Sequence, residues 1–123
     1  MIVGIGVDLV DVARFERAAS RTPRLLDRLF AHSEQRTEER ELPLRSLAAR
    51  FAAKEALIKA IGDSEGVRWH DIRVVSNELR NPSFELAGRI AEVARERGIT
   101  TFHLSMSHDA GLAIAYVVAE GAA

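Results

Sequence analysis

The chain has no cysteine, so it carries no disulfide framework, no thiol nucleophile and no Cys-based zinc site. No apolar run approaches the roughly 20 residues that a membrane-spanning helix needs. The N-terminus opens on a strand-like Met1-Ile2-Val3 without a basic stretch, which argues against a signal peptide. A cytoplasmic location is therefore expected. Lysine is nearly absent: of 17 basic residues only Lys54 and Lys59 are not arginine, and both fall in one stretch. Charge of either sign is not in excess, because the formal net charge is −1, so no nucleic-acid or acidic-membrane partner is indicated. Familiar catalytic signatures are missing too. Gly4-Ile5-Gly6 would need a third glycine at position 9, which is Leu9, and no Walker loop, His-Glu-x-x-His or Gly-x-Ser-x-Gly occurs. What is present is ordinary for a soluble globular protein: 123 residues, 47% apolar and 28% charged, expected to form a single domain over 1–123.

Hydrophobic periodicity divides the chain without repeats or linkers. Ile2 to Val10 alternates as a strand, with Val3, Ile5, Val7 and Leu9 on one face and Gly4, Gly6 and Asp8 on the other. A helix is predicted from about Asp11 to Ser20, and Thr22-Pro23 reads as the N-cap and first residue of a short helix over Arg24 to Phe30. Glu34 to Glu41 is charged nearly all round and reads as a solvated helix or loop. A long helix follows from Pro43 to Ile61, rich in Ala and Leu and closed by Gly62. Strands are predicted at Ile72 to Leu79 and Ser83 to Leu86, turning at Arg80-Asn81-Pro82, then a helix over Ala87 to Arg97 closed by Gly98. Thr101 to His108 and Leu112 to Ala119 form a hairpin around Asp109-Ala110-Gly111. This order implies an α+β fold, a largely antiparallel sheet packed against the long helix.

On that helix Leu44, Ala48, Phe51, Ile58 and Gly62 share a narrow stripe, and Glu55 lies near its centre. A carboxylate there costs several kcal/mol unless it is paired, neutralised or metal-bound. An ion pair with Lys59, four residues on, is the simplest relief. Asp8, an acid near the end of an apolar strand, also needs a partner, whereas Gly4 and Gly6 suit a close backbone approach. Asp8 and Glu55 together make two hard oxygen ligands, too few to cage a metal alone. Mg²⁺ fits such a pair, because it keeps waters and is completed by substrate phosphates. Lys59 and His108 could then address a pyrophosphate.

Three blocks of residues together resemble the holo-acyl-carrier-protein synthases, a class of 4′-phosphopantetheinyl transferases. They are Gly4-Ile5-Gly6-Val7-Asp8-Leu9-Val10 with Arg14 and Phe15, then Arg50-Phe51-Ala52-Ala53-Lys54-Glu55-Ala56 running on to Lys59-Ala60-Ile61-Gly62, and Leu104-Ser105-Met106-Ser107-His108-Asp109 followed by Ala113 and Ala115. The order and spacing hold over nearly the whole chain, and the arginine-rich standalone form looks like an actinobacterial member. The resemblance implies transfer of the phosphopantetheine arm of coenzyme A to a serine of apo-acyl carrier protein, releasing adenosine 3′,5′-bisphosphate. It implies Mg²⁺ on Asp8 and Glu55, and a coenzyme site built from Arg50, Phe51, Glu55, Ile58, Lys59, Gly62, Pro82, Ser107 and His108. The serine proton could pass to a carboxylate at the metal or to Asp109 with His108; the sequence leaves both open. Two departures stand out: Arg80-Asn81-Pro82 lacks the glycine usual there, and Asp63-Ser64-Glu65-Gly66 follows Gly62 in place of a Thr-Gly continuation.

Arg14, Arg17, Arg21, Arg24 and Arg28 recur at helical spacing. Such a face is often merely solvated, but only Glu16 and Asp27 oppose these arginines. Acyl carrier proteins are acidic helical bundles, so the resemblance makes this face the expected dock. The last hairpin strand is apolar on both faces, Leu112, Ile114, Tyr116 and Val118 on one and Ala113, Ala115, Val117 and Ala119 on the other. Subunit contact is its natural cover. The resemblance implies a homotrimer with coenzyme A sites between subunits. A Mg²⁺-dependent phosphohydrolase and a non-catalytic nucleotide-binding oligomer are the competing readings.

Overall fold

The computed structural model describes residues 1–122. Strand β1 (Ile2–Asp11) leads into helix α1 (Val12–Arg21) and the short α2 (Leu25–Leu29). A 3-10 turn at His32–Glu34 precedes the long helix α3 (Leu44–Ile61). The hairpin β2 (Ile72–Ser76) and β3 (Pro82–Leu86), helix α4 (Gly88–Glu96) and the hairpin β4 (Ile99–Asp109) and β5 (Leu112–Gly121) complete the order. All pairings are antiparallel, in a three-stranded sheet β1-β5-β4 and a separate two-stranded sheet β2-β3. The fold is α+β, as the order of elements predicts.

Most boundaries follow from local chemistry. Asp11 caps α1 by accepting the Arg14 N–H at 3.0 Å, and Gly62 ends α3 in the left-handed region at φ 83°. Ala110 and Gly111, both at positive φ, make the two-residue turn that joins β4 to β5. Two boundaries differ from expectation. Thr22 terminates α1, its N–H bonding Ala18 O, and Arg24 occupies the N-cap of α2, so that helix begins two residues later than Pro23 suggests. Strand β2 stops at Ser76, because Asn77 folds its own side chain back to accept the N–H groups of Leu79 and Asn81 at 2.9 Å each. Pro82 consequently opens β3, paired with Ser76, rather than ending the turn.

In that turn Arg80 takes φ 64°. A left-handed conformation costs a side-chain-bearing residue about 1–2 kcal/mol. Arg80→Gly should therefore stabilise the protein by about 1 kcal/mol, read as a rise in the thermal midpoint.

The core is helix α3 laid across the sheet. Ala52, Ala53, Ala56, Leu57, Ala60 and Ile61 pack on Ala115, Val117 and Ala119 of β5. The stripe containing Glu55 is not the buried face: Phe51, Glu55 and Ile58 are half-buried at its margin, while the alanine side goes inward. The opposite face of the sheet is uncovered. Val3, Ile5, Val7 and Leu9 are 41–59% exposed, and Leu112 and Tyr116 on β5 lie beside them, Tyr116 opposite Val7.

Candidate active site

Two glycines bring the acids together. A Cβ at Gly4 would lie 1.9 Å from Ala60 O, and one at Gly6 would lie 1.8 Å from Ala56 O, so only glycine lets β1 rest directly on α3. Asp8 follows Gly6 on the same face and meets the next exposed margin of the helix. Its Oδ1 accepts a hydrogen bond from Lys59 Nζ at 3.0 Å, and Nζ also donates to Val7 O at 3.1 Å. Lys59 thus pairs with Asp8 and not with Glu55, contrary to the i,i+4 expectation. The reason is reach: β1 lies against the helix, and its carbonyl and carboxylate offer the ammonium two acceptors at once.

Glu55 accepts no hydrogen bond among the described residues. Burial pushes its carboxyl above the usual range, Asp8 adds to that rise, and Lys59 only partly opposes it. Two carboxylates with one ammonium between them leave negative charge facing a cavity of about 520 Å³. Phe51 and Arg14 share its lining. The donor set is hard oxygen with room beside it, and no group of three His, Asp or Glu side chains surrounds it among the described residues. A divalent cation with open positions fits; a closed protein cage does not.

A second cavity, about 210 Å³, opens on the other side of α3. Arg45, Ser46 and Arg50 line it from the helix, Ser107 and His108 from β4. At about 100° per residue, positions 46 and 50 project away from positions 51, 55 and 59. In one chain, then, His108 and the acid pair face different cavities. Arg50 is anchored by a 2.7 Å hydrogen bond from Nη1 to Val74 O; burial lowers its pKa, and Glu34 opposes the shift. Arg45 and Ser46 escaped the sequence reading, although both lie within five residues of Arg50 on the same helix.

Other expected residues fall elsewhere. Ile58 packs against the core, Gly62 is the exposed cap of α3, Pro82 is paired in β3, and Asp109 is exposed at the tip of β4, opposite Leu112. None of the four lines either cavity. The five arginines are all exposed and, among the described residues, none forms a salt bridge. They make two patches: Arg14, Arg17 and Arg21 on α1, and Arg24 and Arg28 on α2.

The segment read as solvated contains the largest surprise. Glu34 is buried and bonds Lys54, itself 0% exposed, at 3.0 Å. Burial lowers the Lys54 pKa, Glu34 opposes the shift, and Arg73 and Arg50 reinforce it. Periodicity could not reveal this, because a buried pair between distant segments has no local signature.

A glycine-bearing strand on an alanine helix, an acid pair at their margin and a cationic cavity on the helix's other side define the arrangement. The family model for the 4′-phosphopantetheinyl transferase superfamily aligns with residues 4–117. A holo-[acyl-carrier-protein] synthase of Clavibacter michiganensis subsp. michiganensis is 64% identical over 98% of both chains. One from Leifsonia xyli subsp. xyli is 62% identical over the same shares. The crystal structure of holo-[acyl-carrier-protein] synthase from Neisseria meningitidis superposes with a TM-score of 0.85 at 33% identity, covering 98% of this chain and 99% of that one. The Helicobacter pylori synthase in complex with coenzyme A superposes at 0.79 with 31% identity, covering 94% and 99%. With Gly4, Gly6, Asp8, Glu55, Ser107 and His108 inside the matched span, the chain belongs to the 4′-phosphopantetheinyl transferase superfamily.

Proposed function

We propose that the protein transfers the 4′-phosphopantetheine moiety of coenzyme A to a serine of an apo-acyl carrier protein and releases adenosine 3′,5′-bisphosphate. The observation that carries this reading is the acid pair, Asp8 held by Lys59 and Glu55 without a hydrogen-bond partner among the described residues, in a cavity that Arg14 of the α1 arginine face also lines. The serine oxygen bonds to the pantetheine-side phosphorus of the coenzyme's pyrophosphate, and the bond from that phosphorus to the bridging oxygen breaks. The serine proton leaves to a base, and the bisphosphate departs with the bridging electron pair.

Asp8 and Glu55 would hold Mg²⁺, which when bound neutralises pyrophosphate charge. Lys59, held on Asp8 and more than half exposed, can swing its ammonium to a phosphate oxygen. A carboxylate at the acid cavity is placed to accept the serine proton, whereas Asp109 lies at the exposed hairpin tip and lines neither cavity. Arg50, Ser107 and His108, with Arg45 and Ser46, would take the nucleotide end. Phe51 borders the acid cavity, whereas roles for Ile58, Gly62 and Pro82 would need contacts beyond the two cavities.

The two half-sites belong together only if another chain brings its own. The uncovered apolar face of β1 and β5, from Val3 to Leu9 with Leu112 and Tyr116, is the surface for it, and a homotrimer sharing its sites between subunits is the arrangement we favour. Light scattering at assay concentration should give three chains; a fully active monomer would refute the shared site. No helix is long and apolar enough to cross a membrane, and we place the protein in the cytoplasm, serving carriers of fatty-acid synthesis.

The test is intact-mass measurement of apo-carrier mixed with the protein, coenzyme A and Mg²⁺. The phosphopantetheine increment should appear on the carrier. Bisphosphate released without any carrier would point to a hydrolase. Charge reversal at Arg14 or Arg24 to Glu should raise KM for the carrier about tenfold and leave KM for coenzyme A nearly unchanged, with wild-type KM rising as salt screens the face.

A further inference from the structure

Lys54 lines neither cavity, yet among the described residues it is the most completely buried charge. Its ammonium donates to three segments: Leu29 O at 2.6 Å, Glu34 Oε1 at 3.0 Å and Trp69 O at 3.1 Å. Glu34 extends the tie, accepting the Ala31 N–H on Oε1 at 3.0 Å and the Val74 N–H on Oε2 at 3.2 Å. Leu29 is the last residue of α2, and its carbonyl is an orphan acceptor that the helix cannot satisfy. A helix of five residues has little stability of its own, so its position is set by what holds its ends. Arg24 caps one end and Arg28 lies in its last turn. Lys54 immediately precedes Glu55 on α3.

We infer that Lys54 is a positioning residue: by gripping the Leu29 carbonyl and Glu34 it fixes the arginine-bearing α2 relative to Glu55, so that a docked carrier presents its serine to the acid pair. This rests on the reading of the arginine face as the carrier dock. The chemistry explains why a lysine stands here in a chain that otherwise writes arginine. Three tetrahedral donors can diverge to three segments, whereas a planar guanidinium sends its donors out in one plane. Trp69, whose carbonyl is the third acceptor, meets Phe51 in a tilted contact with ring centroids 5.5 Å apart, and Phe51 stacks on Phe15 of α1 at 5.9 Å. The same ammonium therefore also braces the aromatic row between α3 and α1.

The test compares wild type, Lys54→Met, the double variant Lys54→Met/Glu34→Gln and Arg24→Glu in steady-state transfer to apo-carrier, well below each melting midpoint. The double variant leaves no lone buried charge and is expected to melt above the single one. Both Lys54 variants should raise KM for the carrier about tenfold while KM for coenzyme A stays within about twofold. A purely structural role would lower the active fraction and hence kcat, leaving carrier KM alone. If both Lys54 variants keep wild-type carrier KM while Arg24→Glu raises it, the inference is overturned. Should Arg24→Glu itself leave carrier KM unmoved, the docking reading fails instead.

Discussion

Asp8→Asn and Glu55→Gln are each expected to reduce Mg²⁺-dependent transfer by roughly two to three orders of magnitude, the scale of losing one electrostatic contact to a transition state. Each removes one of the two acids beside Lys59; the third acid of the cavity lining, Asp11, is engaged in capping α1 through the Arg14 N–H, and no group of three acids or histidines could hold a metal among the described residues. The fold should survive, and for Glu55 the metal-free protein should melt higher. Its carboxyl pKa is raised above 4.5 in the folded state, so ionisation is penalised there. Its contribution to stability is intact below the unfolded pKa and lost as pH rises through the folded one. Glu55→Gln should therefore raise the thermal midpoint at neutral pH without metal, and the gain should vanish at pH values below 4.5, where wild type is protonated in both states. A variant at either position that retained near-normal rate at saturating Mg²⁺ would remove that residue from the site.

Gly6→Ala is expected to be at least as damaging, by a different route. The added methyl would sit 1.8 Å from Ala56 O and 2.8 Å from Ala60 N, both backbone atoms that no rotamer change can move. Overpacking costs about 1–3 kcal/mol where side chains can shift, and a clash with helix backbone belongs at or beyond the upper end. Relief requires β1 to lift from α3, which carries Asp8 away from Glu55 and breaks the Lys59 bridge. Loss of both stability and Mg²⁺ response is thus expected, measured by denaturant unfolding and by metal titration of the thermal midpoint. An alanine variant with wild-type stability would mean the strand does not press on the helix as described.

Much of the site was legible because its parts sit on strongly patterned elements. Alternation put Asp8 on the glycine face of β1, and helical spacing put Glu55 and Lys59 on one margin of α3. The structure brings those three to one cavity. Spacing misjudged the pairing, since it sees only neighbours along the helix, whereas Lys59 finds Asp8 51 residues away. Charge density misjudged Glu34, because a carboxylate beside Arg36 and Glu38 looks solvated until Lys54 and Val74 N are seen to enclose it. The turn at Asn77 to Asn81 was shortened by an Asn side chain bonding its own backbone, an event that strand propensity does not register.

By itself the sequence determined the order of elements, the caps at Asp11 and Gly62, the α+β class and the residue types of the site, because these depend on local sterics and on periodicities of two and 3.6. Tertiary structure decided the rest. It set which acid meets which lysine, put Arg50, Ser107 and His108 on the far side of α3 from the acid pair, and left an apolar sheet face exposed. Those outcomes depend on how closely a glycine strand can approach an alanine helix, a distance written in packing between residues some 50 positions apart.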